Sequence, residues 1–204
     1  DGSEERRGQQ AANLVFGNQA SVLVGDFLFS RAFQQMVGDG SLEVLRILSD
    51  ASAVIAEGEV LQLASQGDIT MTLDRYYQVI ASKTAALFAA ACEVGPVIAV
   101  QSAEVQESLR LYGYNLGMAF QIADDVLDYK ADRAKLGKAI GDDFREGKLT
   151  APVILAIQDA SEEEKNFWGR VMQERSQTEG DLDHALSVLE KHSALERGLA
   201  LANE

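Results

Sequence analysis

The stretch Phe120-Gln121-Ile122-Ala123-Asp124-Asp125-Val126-Leu127-Asp128 narrows the folds open to this chain more than any other, because it sets three aspartates inside an apolar, helix-patterned segment. An α-helix turns about 100° per residue, so Asp124 and Asp128 (i, i+4) project from one face while Asp125 flanks them. Like charges so close repel. They persist in a folded chain when solvated, when some protons are retained, or when a cation neutralises them, and hard divalent ions favour carboxylate oxygen. Magnesium keeps several waters and is usually shared between one or two carboxylates and substrate phosphates, which makes it the first candidate and implies a phosphorylated ligand.

Only two prolines, Pro96 and Pro152, interrupt the 204 residues. Ala, Leu, Glu, Gln and Arg fill long stretches in which apolar residues recur three and four apart. This spacing predicts helices near 12–37, 41–66, 72–94, 102–131, 150–160, 161–175 and 180–192, with a short one after Ser193. Thr72 and Ser102 read as N-caps and Gly95-Pro96 as a firm stop. No alternating run of Val, Ile or Thr bounded by turns signals a strand. Long helices on short connectors predict an all-α bundle, packed antiparallel with functional side chains inward. The longest connector, 132–149, is glycine-rich and charged, and compact domains use that length for lids or disordered segments.

A 47% apolar share suffices for one large domain. The net charge of −14 argues against nucleic acid and against an anionic membrane surface as partners. Any anionic ligand must then be held by local cations and metal. No apolar run approaches the roughly 18 residues of a membrane span, and no charged-then-apolar leader opens the chain. Cys92, the single cysteine, lies among alanines and reads as a buried small side chain. A soluble protein of the reducing cytoplasm is expected.

Beyond the aspartates, Gly137-Lys138-Ala139-Ile140-Gly141-Asp142-Asp143-Phe144-Arg145-Glu146-Gly147-Lys148 places two lysines in a flexible segment past the acidic helix. They can close over a diphosphate, with Asp143 reaching a metal through water; a solvated polar connector is the plainer alternative. Lys83, in Ile80-Ala81-Ser82-Lys83-Thr84-Ala85-Ala86, either snorkels to solvent or faces the interior and needs an anion. Arg6-Arg7-Gly8 is weak evidence alone. Val22, Phe27, Phe29, Phe33, Ile55 and Leu61 are read first as ordinary core, and second as an apolar tunnel wall. His184 and His192 read as exposed helix residues, while Phe167 and Trp168 anchor the C-terminal helices.

Four segments, Asp1-Gly2-Ser3-Glu4-Glu5-Arg6-Arg7-Gly8-Gln9, Lys83-Thr84, Phe120 to Asp128, and Gly137-Lys138 through Lys148, stand in the order seen in trans-isoprenyl diphosphate synthases, the polyprenyl synthetase family. The chain resembles the long-chain octaprenyl, solanesyl and decaprenyl type over essentially its whole length. This resemblance implies an isoprenoid-synthase bundle around a central cavity. It also implies a Mg²⁺-dependent transferase that condenses isopentenyl diphosphate onto an allylic prenyl diphosphate, with three Mg²⁺ ions held between two facing aspartate motifs. Asp124, Asp125 and Asp128 match the second motif, Asp124 as a direct ligand, and Asp1 the last aspartate of the first.

By the same match Arg6 contacts the allylic diphosphate and Arg7 that of isopentenyl diphosphate. Lys83, Lys138 and Lys148 clamp the allylic diphosphate, Thr84 and Gln121 line the reacting end, and Phe120 lies near the isopentenyl group. A homodimer paired through long helices and a role in quinone side chains are implied as well. The first residue falls inside a motif, so the chain is expected to be a piece of one all-α domain without its N-terminal and last C-terminal helices, and nearly inactive alone. Two alternatives stay open. A terpene cyclase shares the fold, and a non-catalytic subunit of a heteromeric synthase fits the missing leading aspartates.

Overall fold

The computed structural model describes residues 5–6, 9–130 and 140–203, and these are almost entirely helical. Asp1, Arg7 and Lys138 lie outside the described residues. The expected bundle is present, with boundaries that depart from the sequence reading where local chemistry explains them. Strands β1 (Glu5–Arg6) and β2 (Gln9–Gln10) pair antiparallel, Glu5 opposite Gln10; two residues per strand carry no period to detect. The predicted first helix is two, α1 (Ala12–Phe16) and α2 (Asn18–Asp39), because Gly17 sits at φ +81° between them.

Helix α3 (Leu42–Ser65) starts under Ser41, whose hydroxyl accepts the Val44 N–H. The next helix, α4 (Leu73–Ile98), starts with Thr72 capping the Arg75 N–H. It passes through a π turn at Ala81–Ala85 and continues over Ala86–Ile98, past the expected stop at Gly95-Pro96. Pro96 has no N–H to bond the carbonyl four residues back, and the helix ends two residues beyond it; Gly95 offers the proline ring no Cβ to strike. Contrary to the sequence reading, α4 is long and apolar enough to cross a membrane (mean hydropathy 1.2). In the bundle it is packed between α3 and α5 (Ala103–Lys130).

Past α5, the connector holds a four-residue helix, α6 (Asp142–Arg145), anchored by buried Phe144. The uniformly apolar α7 (Ala151–Gln158) is the centre of the main core, with Val153, Ile154 and Leu155 all buried. Around it stand α8 (Glu162–Trp168, running on as a π turn over Gly169–Gln173), α9 (Asp181–Lys191) and α10 (Ala194–Leu201). Trp168 is fully buried, as its anchoring role requires. Ser161 and Glu164 form a capping box at the start of α8. Glu164 is itself buried and binds Lys191 and His192, so His192, with a side chain 12% exposed, is not the surface residue expected. Cys92 is half-buried.

Helix α2 overturns the core assignment at its positions: none of its residues is buried, and Val22, Phe27 and Phe29 are more than half exposed. The period of an amphipathic helix gives a face for burial but does not say what will cover it.

Two glycines let α3 and α5 grip the π turn. A Cβ on Gly58 of α3 would stand 2.7 Å from the Lys83 backbone nitrogen, and one on Gly117 of α5 would stand 2.6 Å from Ala85 Cα. Backbone cannot retreat as a side-chain tip can. Gly58→Ala is therefore expected to destabilise the fold by about 1–3 kcal/mol, seen as a lower urea midpoint at unchanged m-value.

Candidate active site

On α4, Tyr76, Val79 and Ile80 share a face at i, i+3 and i+4 that turns to a cavity of about 200 Å³, and Lys83, inside the π turn, lines the same cavity. Gln62, Ser65 and Gln66 close the cavity from the end of α3, and Gln121, Asp124 and Asp125 from α5. Asp143, Lys148, Leu149 and Thr150 come from the segment after α5.

The three aspartates of α5 do different things. Asp124 lies exposed on the cavity wall. Asp125 is buried, its two oxygens accepting from the Tyr76 hydroxyl and the Gln121 side-chain amide, each at 2.7 Å. Asp128 turns to the connector, where its carboxylate accepts the Asp143 N–H at 3.0 Å while its carbonyl accepts the Gly141 N–H. Thr84, in the π turn, donates to the Gln121 amide oxygen at 2.8 Å.

Lys83 reaches Gln62 Oε1 at 2.5 Å and Glu59 at 3.4 Å, so it faces polar groups at the cavity and does not snorkel away. Lys148 lies 3.1 Å from Asp143 and 2.5 Å from Glu146. Burial works against the Lys148 ammonium, yet Asp143 and Glu146 together raise it above the ordinary lysine range. The described part of its loop, 140–148, is tied down: the Glu146 carbonyl accepts from Gln66 and from Arg175, and Phe144's carbonyl from Gln177. Phe120 lies apart from the cavity, 54% exposed and packed on Phe88.

Sequence reasoning missed Tyr76, Glu146, Gln62 and Gln66. Tyr76 was legible as the polar member of the α4 face it shares with Val79 and Ile80. The others come from chain ends brought together only by folding, and no local pattern marks them.

The sequence model of the polyprenyl synthetase family matches residues 1–189. The chain belongs to that family. Octaprenyl diphosphate synthase of Escherichia coli (strain K12) is 51% identical over 164 residues, which make up 80% of this chain and 51% of that protein. The all-trans-nonaprenyl-diphosphate synthase (geranyl-diphosphate specific) of Rhodobacter capsulatus is 41% identical over 196 residues, 96% of this chain and 59% of that one. A polyprenyl synthase from Caulobacter crescentus CB15, solved with calcium and isoprenyl diphosphate, superimposes with a TM-score of 0.96 at 50% identity, over 99% of this chain and 62% of that one. The chain thus spans between half and two thirds of the length of these relatives.

In this polyprenyl synthetase chain the cavity carries more acid than base. Burial, then the charge of Asp143, pushes Asp125 up to about 7 against the pull of its two hydrogen bonds. Burial and Asp143 likewise raise Asp128 to about 6. Asp143 is itself raised, by burial first, with Lys148 opposing. Carboxyls raised in this way retain their protons chiefly because burial disfavours the charged form, and neighbouring acids add to that. Among the described residues no three His, Cys, Asp or Glu side chains converge on a metal position. Asp124 and Asp143 on the cavity wall are oxygen donors of the kind that a hard, hydrated ion such as magnesium takes one or two at a time.

These shifts fix the sign of the pH dependence. Asp125 and Asp128 hold protons in the folded state between about pH 4 and 7 that the unfolded chain has released, so their contribution to stability is complete below about 4 and is lost as pH rises through 6 to 7. Thermal melts in chelator are expected to give a higher Tm at pH 5.5 than at pH 8. Added Mg²⁺ is expected to raise Tm more at pH 8, where the carboxylates are ionised.

Proposed function

We propose that this chain carries the diphosphate-binding part of a trans-prenyl transferase, which condenses isopentenyl diphosphate onto an allylic prenyl diphosphate and makes a long-chain polyprenyl diphosphate. One observation carries the reading: Lys83 and Lys148 meet Asp124, Asp125 and Asp143 around a single cavity. The octaprenyl and nonaprenyl synthases among the relatives support a long product, and the Caulobacter crescentus complex with calcium and isoprenyl diphosphate supports a divalent ion beside a prenyl diphosphate.

In this reading Lys83 and Lys148 take the allylic diphosphate, exchanging Gln62, Glu59, Asp143 and Glu146 for phosphate oxygens, and Lys138, Arg6 and Arg7 complete the basic enclosure. Asp124 and Asp143 would hold Mg²⁺, a role the motif match also gives to Asp1, and the ion would supply positive charge for the diphosphate leaving group. The carbon–oxygen bond to diphosphate breaks, the isopentenyl double bond attacks the allylic carbon, and a proton is lost. Thr84 and Gln121 present oxygen beside the reacting end, which stabilises positive charge developing there.

The full-length protein with labelled isopentenyl diphosphate, farnesyl or geranylgeranyl diphosphate and Mg²⁺ is expected to yield a longer, extractable prenyl diphosphate. No elongation by well-folded protein would refute the transferase. Lys148→Ala and Lys83→Ala are each expected to lower kcat/KM for the allylic substrate about 10- to 100-fold, the worth of a hydrogen bond to a charged group.

The same reading pairs two copies through α2, a 22-residue helix whose Val22, Leu23, Val24, Phe27, Leu28 and Phe29 are all more than half exposed. The double variant Val22→Asp, Phe29→Asp is expected to convert a dimer to monomer in sedimentation velocity.

A further inference from the structure

A hydrogen-bond chain links three residues of the cavity wall, Tyr76, Asp125 and Gln121, to Thr84 in the π turn. Tyr76, 2% exposed, donates its hydroxyl to Asp125 Oδ2 at 2.7 Å. Gln121, one turn before Asp125 on α5, donates its amide nitrogen to Oδ1 at 2.7 Å. Thr84 donates to the Gln121 amide oxygen at 2.8 Å. An ionised carboxylate can only accept. Gln121 must therefore turn its NH₂ to Asp125 and its oxygen to Thr84, and the Thr84 hydrogen must point along the chain.

The fold makes this relay stiff. Tyr76 and Thr84 come from the same helix on either side of the place where the π turn begins, and one added residue in a turn rotates the remainder of the helix by about 100°. Both donors thereby meet α5, on which Gln121 and Asp125 are four residues apart and so share a face. Gly58 and Gly117 hold the π turn from both sides. With both oxygens of Asp125 engaged by buried donors, this carboxylate has a different task from that of Asp124 on the cavity wall.

We propose that Tyr76 and Asp125 are positioning residues: they lock the Gln121 amide so that Thr84 directs its hydrogen inward and leaves its oxygen lone pairs for positive charge developing beside the cavity. The proposal rests on the prenyl-transfer reading for its chemistry and on geometry alone for the relay. An oxygen aimed at charge that exists only at the transition state acts on kcat, leaving substrate affinity and metal affinity as they were.

The test uses full-length protein at pH 8 with two readouts. In kinetics, Tyr76→Phe is expected to lower kcat about tenfold with KM for both diphosphates and the half-saturating Mg²⁺ concentration unchanged. Asp125→Asn is expected to lower kcat further, because an asparagine can offer either face and lets the Gln121 amide turn over, again with no change in half-saturating Mg²⁺. In NMR of protein labelled with ¹⁵N-glutamine, the Gln121 side-chain NH₂ pair is expected to be shifted from the solvent-exposed glutamines and protected from exchange. Both properties are expected to be lost in Asp125→Asn and weakened in Tyr76→Phe. Three results would each overturn the proposal: a Gln121 signal indifferent to both substitutions, a kcat unchanged by Tyr76→Phe, or an Asp125→Asn defect repaired by excess Mg²⁺, which would make Asp125 a ligand. Should wild-type protein fail to elongate any prenyl diphosphate, the transferase reading falls, and the NMR result alone decides the relay.

Discussion

Uncompensated negative charge at the C-terminal third of α5 organises this molecule. Asp124, Asp125, Asp128 and Asp143 crowd a region where Lys83 and Lys148 are the lysines on the cavity wall among the described residues, and burial leaves Asp125 poised near pH 7. A cluster of this kind is costly to fold. It is maintained because each carboxylate that is withdrawn from solvent is given a specific donor: Tyr76 and Gln121 for Asp125, the Asp143 N–H for Asp128, Lys148 for Asp143. Beyond the reach of those donors there remains a field that favours a hydrated divalent cation, and through it an anionic ligand.

The cations are held just as firmly as the acids. Lys148 sits at the end of a segment stitched on one side to the turn after α3, through Gln66 and the Gly67–Gly147 backbone bond, and on the other to Arg175 and Gln177. Lys83 rides on a π turn pressed between Gly58 and Gly117. Both ammonium groups already have oxygen partners of the kind a diphosphate presents, so a ligand exchanges like for like. Preorganisation of this sort uses folding energy to reduce the ordering that binding must supply.

Most of the fold was readable from period and punctuation: the long helices, the caps at Thr72 and Ser102, and the burial of Trp168 came out as expected. The departures have separable causes. Helix α4 runs two residues past Gly95-Pro96, because a proline removes its own N–H bond while the residues just after it can keep helical angles. The aromatic residues of α2 have the pattern of core without being in one, since periodicity reports a face and never its partner. His192 was assigned to the surface because its partner, Glu164, lies 28 residues away in sequence. In the site, residue type and spacing pointed to Asp124 and Asp125, and the family resemblance to Lys83 and Gln121, all four of which stand on the cavity wall. The motif match singled out Asp124, but spacing alone could not separate Asp125 from Asp128, because their roles depend on whether Tyr76 or the Asp143 backbone stands opposite.

Asp128 shows why the spacing of the cluster matters. It lies in the last turn of α5, where the helix dipole disfavours a negative side chain, and a solvated carboxylate there would cost stability with no compensating contact. Instead it accepts the backbone N–H of Asp143 in the first turn of α6, where unsatisfied N–H groups and the opposite end of a helix favour an anion. One unfavourable terminus thus neutralises another, and in doing so fixes the register of the segment that carries Asp143 and Lys148. Moving Asp128 by one position would rotate it by about 100° off this line and release that segment from α5. The spacing of four between Asp124 and Asp128 therefore combines two separate requirements: a carboxylate on the cavity wall, and one turn later an acceptor that brings the returning chain, with its own acid and base, back to the same wall.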